Sequence, residues 1–162
     1  NVLNRISALV ASGDTHIPSG LVWGWNLLAP GEPYSARTAE ELESIGGKKV
    51  LLLMTDGVNT LAPRLPDGRL GPFSWGTYLP MGWSDPAKTN QLTSDLCANI
   101  KNDGILIFTV SFDVPAGSGI DSILRNCASD PVTMAFNADN NDQLMQAFTE
   151  IGNRLKVLKI VR

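Results

Sequence analysis

A single histidine, His16, serves the whole 162-residue chain, and cysteine is nearly as scarce at two residues. That scarcity excludes any zinc site built on two histidines. Charge is thin as well: 18% of residues are ionic, below the roughly 25% of soluble domains, so the chain lacks the composition of a disordered segment. Basic residues do not outnumber acidic ones (13 against 16, net charge −3, pI near 5.0). The basic stripe of a duplex nucleic-acid binder is therefore missing. No apolar run approaches the ~20 residues that span a bilayer.

Several catalytic signatures are absent too. There is no G-x-x-x-x-G-K-[ST] phosphate loop; Gly46-Gly47-Lys48-Lys49 precedes a predicted strand where a phosphate loop would follow one. Gly117-Ser118-Gly119 does not make a dinucleotide fingerprint, and no G-x-S-x-G elbow occurs. A phosphoryl-accepting aspartate would need further acidic metal ligands and a lysine at a later strand end, where this chain reads Ser111-Phe112-Asp113-Val114. The composition is poor for acid–base or nucleophilic catalysis, and a non-enzyme is expected.

What the chain does contain is an alternation of apolar runs and helical stripes. Val50-Leu51-Leu52-Leu53-Met54 is unbroken and closed by Thr55-Asp56-Gly57, which predicts a strand buried on both faces, as in a parallel sheet. A second strand is predicted over Ile105–Phe112, closed by Asp113, and a third over Val132–Phe136. Between and around them run helical stripes: Ile17, Leu21, Trp25 and Leu28 after the Asp14-Thr15-His16-Ile17-Pro18 start; Leu92, Leu96 and Ile100; Ile120, Ile123, Leu124 and Cys127; and Leu144, Phe148, Ile151, Leu155 and Leu158. A short surface helix is possible in the polar stretch 31–47. The order predicts a single α/β domain over 1–162, its parallel sheet covered by helices on both faces.

Residues 58–85 form a long aromatic- and Pro/Gly-rich insertion carrying Phe73, Trp75, Tyr78 and Trp83, expected to fold back on the domain or meet a partner. The chain opens at Asn1 inside what reads as a helix (Val2, Ile6, Leu9, Val10), as a piece cut from a longer protein would.

In open parallel sheets ligands sit beyond the carboxyl ends of the strands. Asp56 and Asp113 stand at that edge by sequence, and the Asp14-Thr15 turn is placed to reach it. An aspartate there serves as phosphorylation site, nucleophile, hard-metal ligand or simple turn cap. Mg²⁺ takes oxygen ligands, keeps several waters and needs only one or two protein carboxylates, so a threonine hydroxyl and a strand-end aspartate suit it. For Thr15, helix capping is the alternative role.

The segments Gly13-Asp14-Thr15-His16-Ile17-Pro18-Ser19-Gly20-Leu21-Val22-Trp23-Gly24-Trp25 and Lys48-Lys49-Val50-Leu51-Leu52-Leu53-Met54-Thr55-Asp56-Gly57-Val58-Asn59-Thr60 resemble a von Willebrand factor A domain, most of all the TadG-like proteins of bacterial Tad (Flp) pilus assembly. Asp95-Leu96-Cys97, the strand Ile107–Phe112, Leu124-Arg125-Asn126-Cys127-Ala128-Ser129 and the closing helix from Ala147-Phe148 extend the likeness, in order, over nearly the whole chain. The resemblance implies a Rossmann-like parallel sheet and a metal-ion-dependent adhesion site in which Thr15 and Asp56 are Mg²⁺ ligands. The family's D-x-S-x-S loop has no match in residues 1–162, so the leading strand is lacking and the Mg²⁺ site is incomplete.

The likeness further implies a non-enzymatic, adhesion-type domain of the bacterial envelope, in the periplasm or at the cell surface. Its partners would be proteins of the pilus or envelope and not nucleic acid. The membrane would be reached only through an inner-membrane anchor upstream, and the oligomeric state stays open. A Mg²⁺-dependent phosphotransfer or hydrolase domain centred on Asp56, and a purely structural envelope domain, are the alternatives. Cys97 and Cys127 fall on predicted helices. The periplasmic setting implied by the family favours a disulfide over two buried free thiols.

Overall fold

The computed structural model describes residues 2–8, 15–34, 36–60 and 86–160, with side chains as far as 156. Asp14, the Leu9-Val10 part of the opening helix, and residues 61–85 of the predicted insertion lie outside the described residues.

Three strands form one parallel sheet in the order β1 (Val50–Thr55), β2 (Leu106–Phe112), β3 (Ala135–Ala138). The register pairs Leu52 with Phe108 and Met54 with Val110. The two longer strands stand where the apolar runs predict them. The third starts three residues later than predicted. Val132 and Thr133 have strand-forming side chains, but the Asp130 carboxylate accepts both their backbone N–H groups at 2.8 and 3.0 Å and folds them into a turn that leaves Val132 87% exposed.

Among the described residues there are six helices, of which α2, α4, α5 and α6 pack on the sheet: α1 (Val2–Ser7), α2 (Ile17–Leu28), α3 (Ala39–Ser44), α4 (Pro86–Asn102), α5 (Gly119–Cys127) and α6 (Asn141–Ile160). Pro18 sits in the first turn of α2, where its missing N–H has no intrahelical partner to lose. α3 is the short surface helix, held by a capping box: the Thr38 hydroxyl accepts from Glu41 N, and the Glu41 carboxylate accepts from Thr38 N at 2.7 Å. Gly24 lets α2 lie close on β1, since a Cβ there would stand 2.9 Å from Leu51 Cδ1.

Side chains alternate across each strand, which splits the core in two. On one face Leu51, Leu53 and Ile107 pack with Ile17 and Leu21 of α2, Cys97 and Ile100 of α4, and Ile120 and Leu124 of α5. On the other, Phe108 and Val110 pack against Ile151 of α6, flanked by Leu144 and Leu155. The sheet thus carries helices on both faces. α6 reaches only β2 and β3, however, and β1 alternates in burial: Leu52 and Met54 stay 39% and 44% exposed beside the fully buried Phe108 and Val110. Burial of β1 on both faces, predicted from its unbroken apolar run, is corrected here.

Two helical stripes also differ from prediction. The buried line of α4 is Thr89, Thr93, Cys97 and Ile100, with Leu92 and Leu96 only half-buried. On α6, Ala147 and Ile151 are buried while Phe148 is 39% exposed.

Cys97 of α4 and Cys127 of α5 form a disulfide, and both are almost fully buried. Next to it the Lys101 ammonium caps the end of α5, donating to the backbone oxygens of Asn126 at 2.7 Å and Ala128 at 3.4 Å. The start of α5 is fixed by Ser118, whose hydroxyl accepts from Asp121 N.

Candidate functional site

β1 leaves the sheet at Thr55 and turns at Asp56-Gly57. The Thr55 hydroxyl donates to the Gly57 carbonyl at 3.1 Å and accepts from the Gly57 N–H at 3.3 Å, a hydroxyl-stabilised turn that presents Asp56 to solvent.

The turn before α2 is laced to this loop. Thr15 N donates to the Thr60 hydroxyl at 2.7 Å, and Thr60 N donates back to the Thr15 carbonyl at 2.9 Å. Thr15 thereby stands against the Asp56-Gly57 turn: a methyl placed on Gly57 would lie 3.9 Å from the Thr15 hydroxyl oxygen. Neither that hydroxyl nor the Asp56 carboxylate has a hydrogen-bond partner among the described residues. Both residues stand at the carboxyl edge of the sheet.

His16 follows Thr15, and its Nδ1 is 2.7 Å from the Ser19 hydroxyl. Burial lowers its pKa, which favours the uncharged imidazole. Asp113, the other aspartate placed at this edge by sequence, is exposed and sits in left-handed backbone (φ 55°) after β2, with its N–H bonded to the Ala138 carbonyl at 2.8 Å. Aspartate is among the few residues that tolerate that conformation, so Asp113 fits a turn role.

The donor set is compatible with a hard cation. Thr15 and Asp56 offer only oxygen, as Mg²⁺ prefers, and the exposure of Asp56 leaves room for retained waters. Among the described residues no group of three or more His, Cys, Asp or Glu side chains could hold a metal. A cation here would take a threonine hydroxyl, one carboxylate and water from these residues.

Three buried polar residues tie the edge together and escape sequence reasoning: Asn59, Thr89 and Thr93, each 2% exposed or less. Asn59 Oδ1 accepts from Ile17 N at 2.8 Å, while its amide donates to Asn90 Oδ1 at 2.9 Å and Thr93 Oγ1 at 3.1 Å. In sequence Asn59 looks like one more polar turn residue, and only the threonines four apart on α4 hint at a polar stripe. Asp121 was likewise not singled out. It is 4% exposed, and its carboxylate accepts from Gly117 N at 2.9 Å and Arg125 Nε at 3.1 Å. Burial opposes its charge, yet the Gly117, Arg125 and Asn137 donors outweigh burial and hold its pKa below the usual value.

Larger concavities lie away from this edge. One of about 410 Å³ is lined by Gly46, Gly47, Lys48, Lys49 and Asp103, and one of about 340 Å³ by Trp23, Asn26, Pro33 and Tyr34. Neither includes Thr15 or Asp56.

No family model matches the chain, and no curated protein resembles it at a significant level. Solved structures do. The pilus adhesin SpaC from Lactobacillus rhamnosus GG aligns with 98% of this chain at 18% identity and a TM-score of 0.59. Proximal thread matrix protein 1 from the mussel byssus aligns with 98% at 20% identity and a TM-score of 0.49; a structure of that protein with a zinc-occupied MIDAS motif gives 0.48. The chain spans 21% of the adhesin and 28% of the mussel protein. Identities this low speak to the fold alone, and that fold is the von Willebrand factor A type: an α/β arrangement with an all-parallel sheet flanked by helices.

Proposed function

We propose that this chain is a portion of a TadG-like envelope protein and that its carboxyl sheet edge is a non-enzymatic docking surface for proteins of the pilus or envelope, assisted by Mg²⁺ at an adhesion site to which this chain contributes Thr15 and Asp56 and which is incomplete without the D-x-S-x-S loop. One observation carries the proposal: the reciprocal Thr15–Thr60 hydrogen bonds set the Thr15 hydroxyl against the Asp56-Gly57 turn, and neither ligand side chain has a hydrogen-bond partner among the described residues. A cation on two protein oxygens keeps open positions, which a partner's carboxylate would fill. The pilus adhesin among the structural neighbours accords with an adhesive role. The buried disulfide accords with an oxidising compartment, the periplasm or cell surface. No helix among the described residues is long and apolar enough to cross a membrane, and in the proposal attachment to the inner membrane falls to an upstream segment.

Calorimetric titration of the full-length protein with Mg²⁺ and Mn²⁺ tests the ion, with Asp56→Ala and Thr15→Ala as controls. The expected result is a binding heat that disappears in Asp56→Ala and weakens in Thr15→Ala. Heat unchanged in Asp56→Ala overturns the metal assignment. Phosphate-ester turnover that is lost in Asp56→Ala would replace docking with hydrolysis. In cells, Asp56→Ala is expected to reduce surface pili while the protein stays abundant.

A further inference from the structure

The Asn59 side chain bridges two helices, its amide oxygen bonding to α2 and its amide nitrogen to α4. Ile17 N, the acceptor-less first N–H of α2, can only donate, which fixes the amide oxygen toward it at 2.8 Å. The amide nitrogen then faces Asn90 Oδ1 and Thr93 Oγ1. Thr93 spends its own proton on the Thr89 carbonyl at 2.8 Å and so meets Asn59 as an acceptor. The chain of donors is closed, buried and directional. An aspartate would lose both donations, and an aliphatic residue would strand the Ile17 N–H.

The location gives this clamp a consequence for the site. Asn59 is three residues beyond Asp56 on one loop, and its acceptor bond lands two residues beyond Thr15 on the other. Both loops are thereby fastened to α4, which is itself locked into the core through Cys97 and Ile100.

The geometry points to Asn59 as the positioning residue that holds the Thr15 and Asp56 ligands in register. The inference rests on the metal assignment above for its functional meaning and on the hydrogen-bond network for its structural one. Removing a residue that orients ligands weakens metal affinity by about 10–100-fold in known sites.

Amide hydrogen exchange on Asn59→Ala tests the structural part. Ile17 loses its acceptor outright and is not diagnostic. Thr15 and Thr60 keep their mutual bonds, so their amides report on register. The expected result is acceleration at Thr15 and Thr60 at least tenfold beyond that at Ile107 and Val110 of β2. Equal factors at all four amides would make Asn59 an ordinary stabilising residue and overturn the inference, as would no acceleration at all. If Asn59→Ala does not fold, Asn90→Ala removes one acceptor from the network and is read by the same four amides and the same criterion.

Mn²⁺ titration on the same variants tests the functional part, with dissociation constants expected to rise tenfold or more. Unchanged Mn²⁺ affinity in Asn59→Ala, against wild-type binding that depends on Asp56, overturns the inference. Absence of any Asp56-dependent binding in the wild type defeats the metal assignment instead, and the exchange pattern still decides the role of Asn59.

Discussion

Lys101 Nζ lies 2.7 Å from the backbone oxygen of Asn126, the residue before a cysteine whose partner, Cys97, stands one helical turn before the lysine. The ammonium and the disulfide are adjacent clamps between the same two helices. One holds the helix end by charge and the other by a covalent bond.

Their removal has separable costs. Replacing both cysteines by serine is expected to lower stability by about 3–4 kcal/mol, the loop-closure value for a bridge spanning some thirty residues. Lys101→Met is expected to cost about 1 kcal/mol through the uncapped end of α5. The sites are neighbours, so the triple variant should deviate from the sum. Denaturant titration measures all three, and thiol titration of the denatured, unreduced protein should detect no free thiol.

Asp121 sets an acid limit on stability. Its folded pKa lies below the unfolded value of about 3.9, so its contribution is fully present above that pH and lost as pH falls through the folded pKa. Asp121→Asn should be less stable than wild type at pH 7, by about 2 kcal/mol, because the Arg125 and Gly117 donors lose a charged acceptor. The difference should shrink in acid below pH 4. Thermal melts from pH 7 downward report it, and parallel curves throughout would refute the assignment.

Phe108 and Leu52 are directly paired in the sheet and point to the same face, yet α6 covers only the first. Phe108→Ala should cost about 3–5 kcal/mol, as large-to-small changes in a closed core do. Leu52→Lys should cost far less, since its side chain already meets water. With Met54→Lys it should also reduce any self-association, because an apolar, proline-free edge strand is a template for pairing. Sedimentation of the single and double variants, beside their denaturation midpoints, separates the two effects.

β1 and β2 are legible because strongly apolar stretches of five to eight residues closed by an aspartate have few other uses in an α/β chain. The start of β3 is not, since Val132 and Thr133 have strand-like side chains and only the position of Asp130 turns them aside. α4 was misjudged for a non-local reason. Thr89 and Thr93 are buried through a network completed by Asn59, some thirty residues earlier, and helical periodicity weighs only apolar residues. Leu52 and Met54 show the converse limit, because an apolar side chain does not reveal whether anything lies above it. At the site, strand ends place Asp56 and the Thr15 turn at the sheet edge and the resemblance adds their ligand roles, whereas Asn59 and Thr60, which hold them together, read as ordinary loop residues.

The bridge between Cys97 and Cys127 also reroutes mechanical load. Pulled from its ends, the chain transmits covalent tension up α4 to Cys97, across the sulfurs, and onward from Cys127 to β3. The span between them, which contains the whole of central strand β2, is bypassed. With the disulfide intact, full extension should fall short by about 100 Å, thirty residues at roughly 3.3–3.6 Å each, and a reductant should release that length in a single-molecule stretching experiment. In a protein that bears tension, β2 would be stripped of its neighbours without ever being drawn taut.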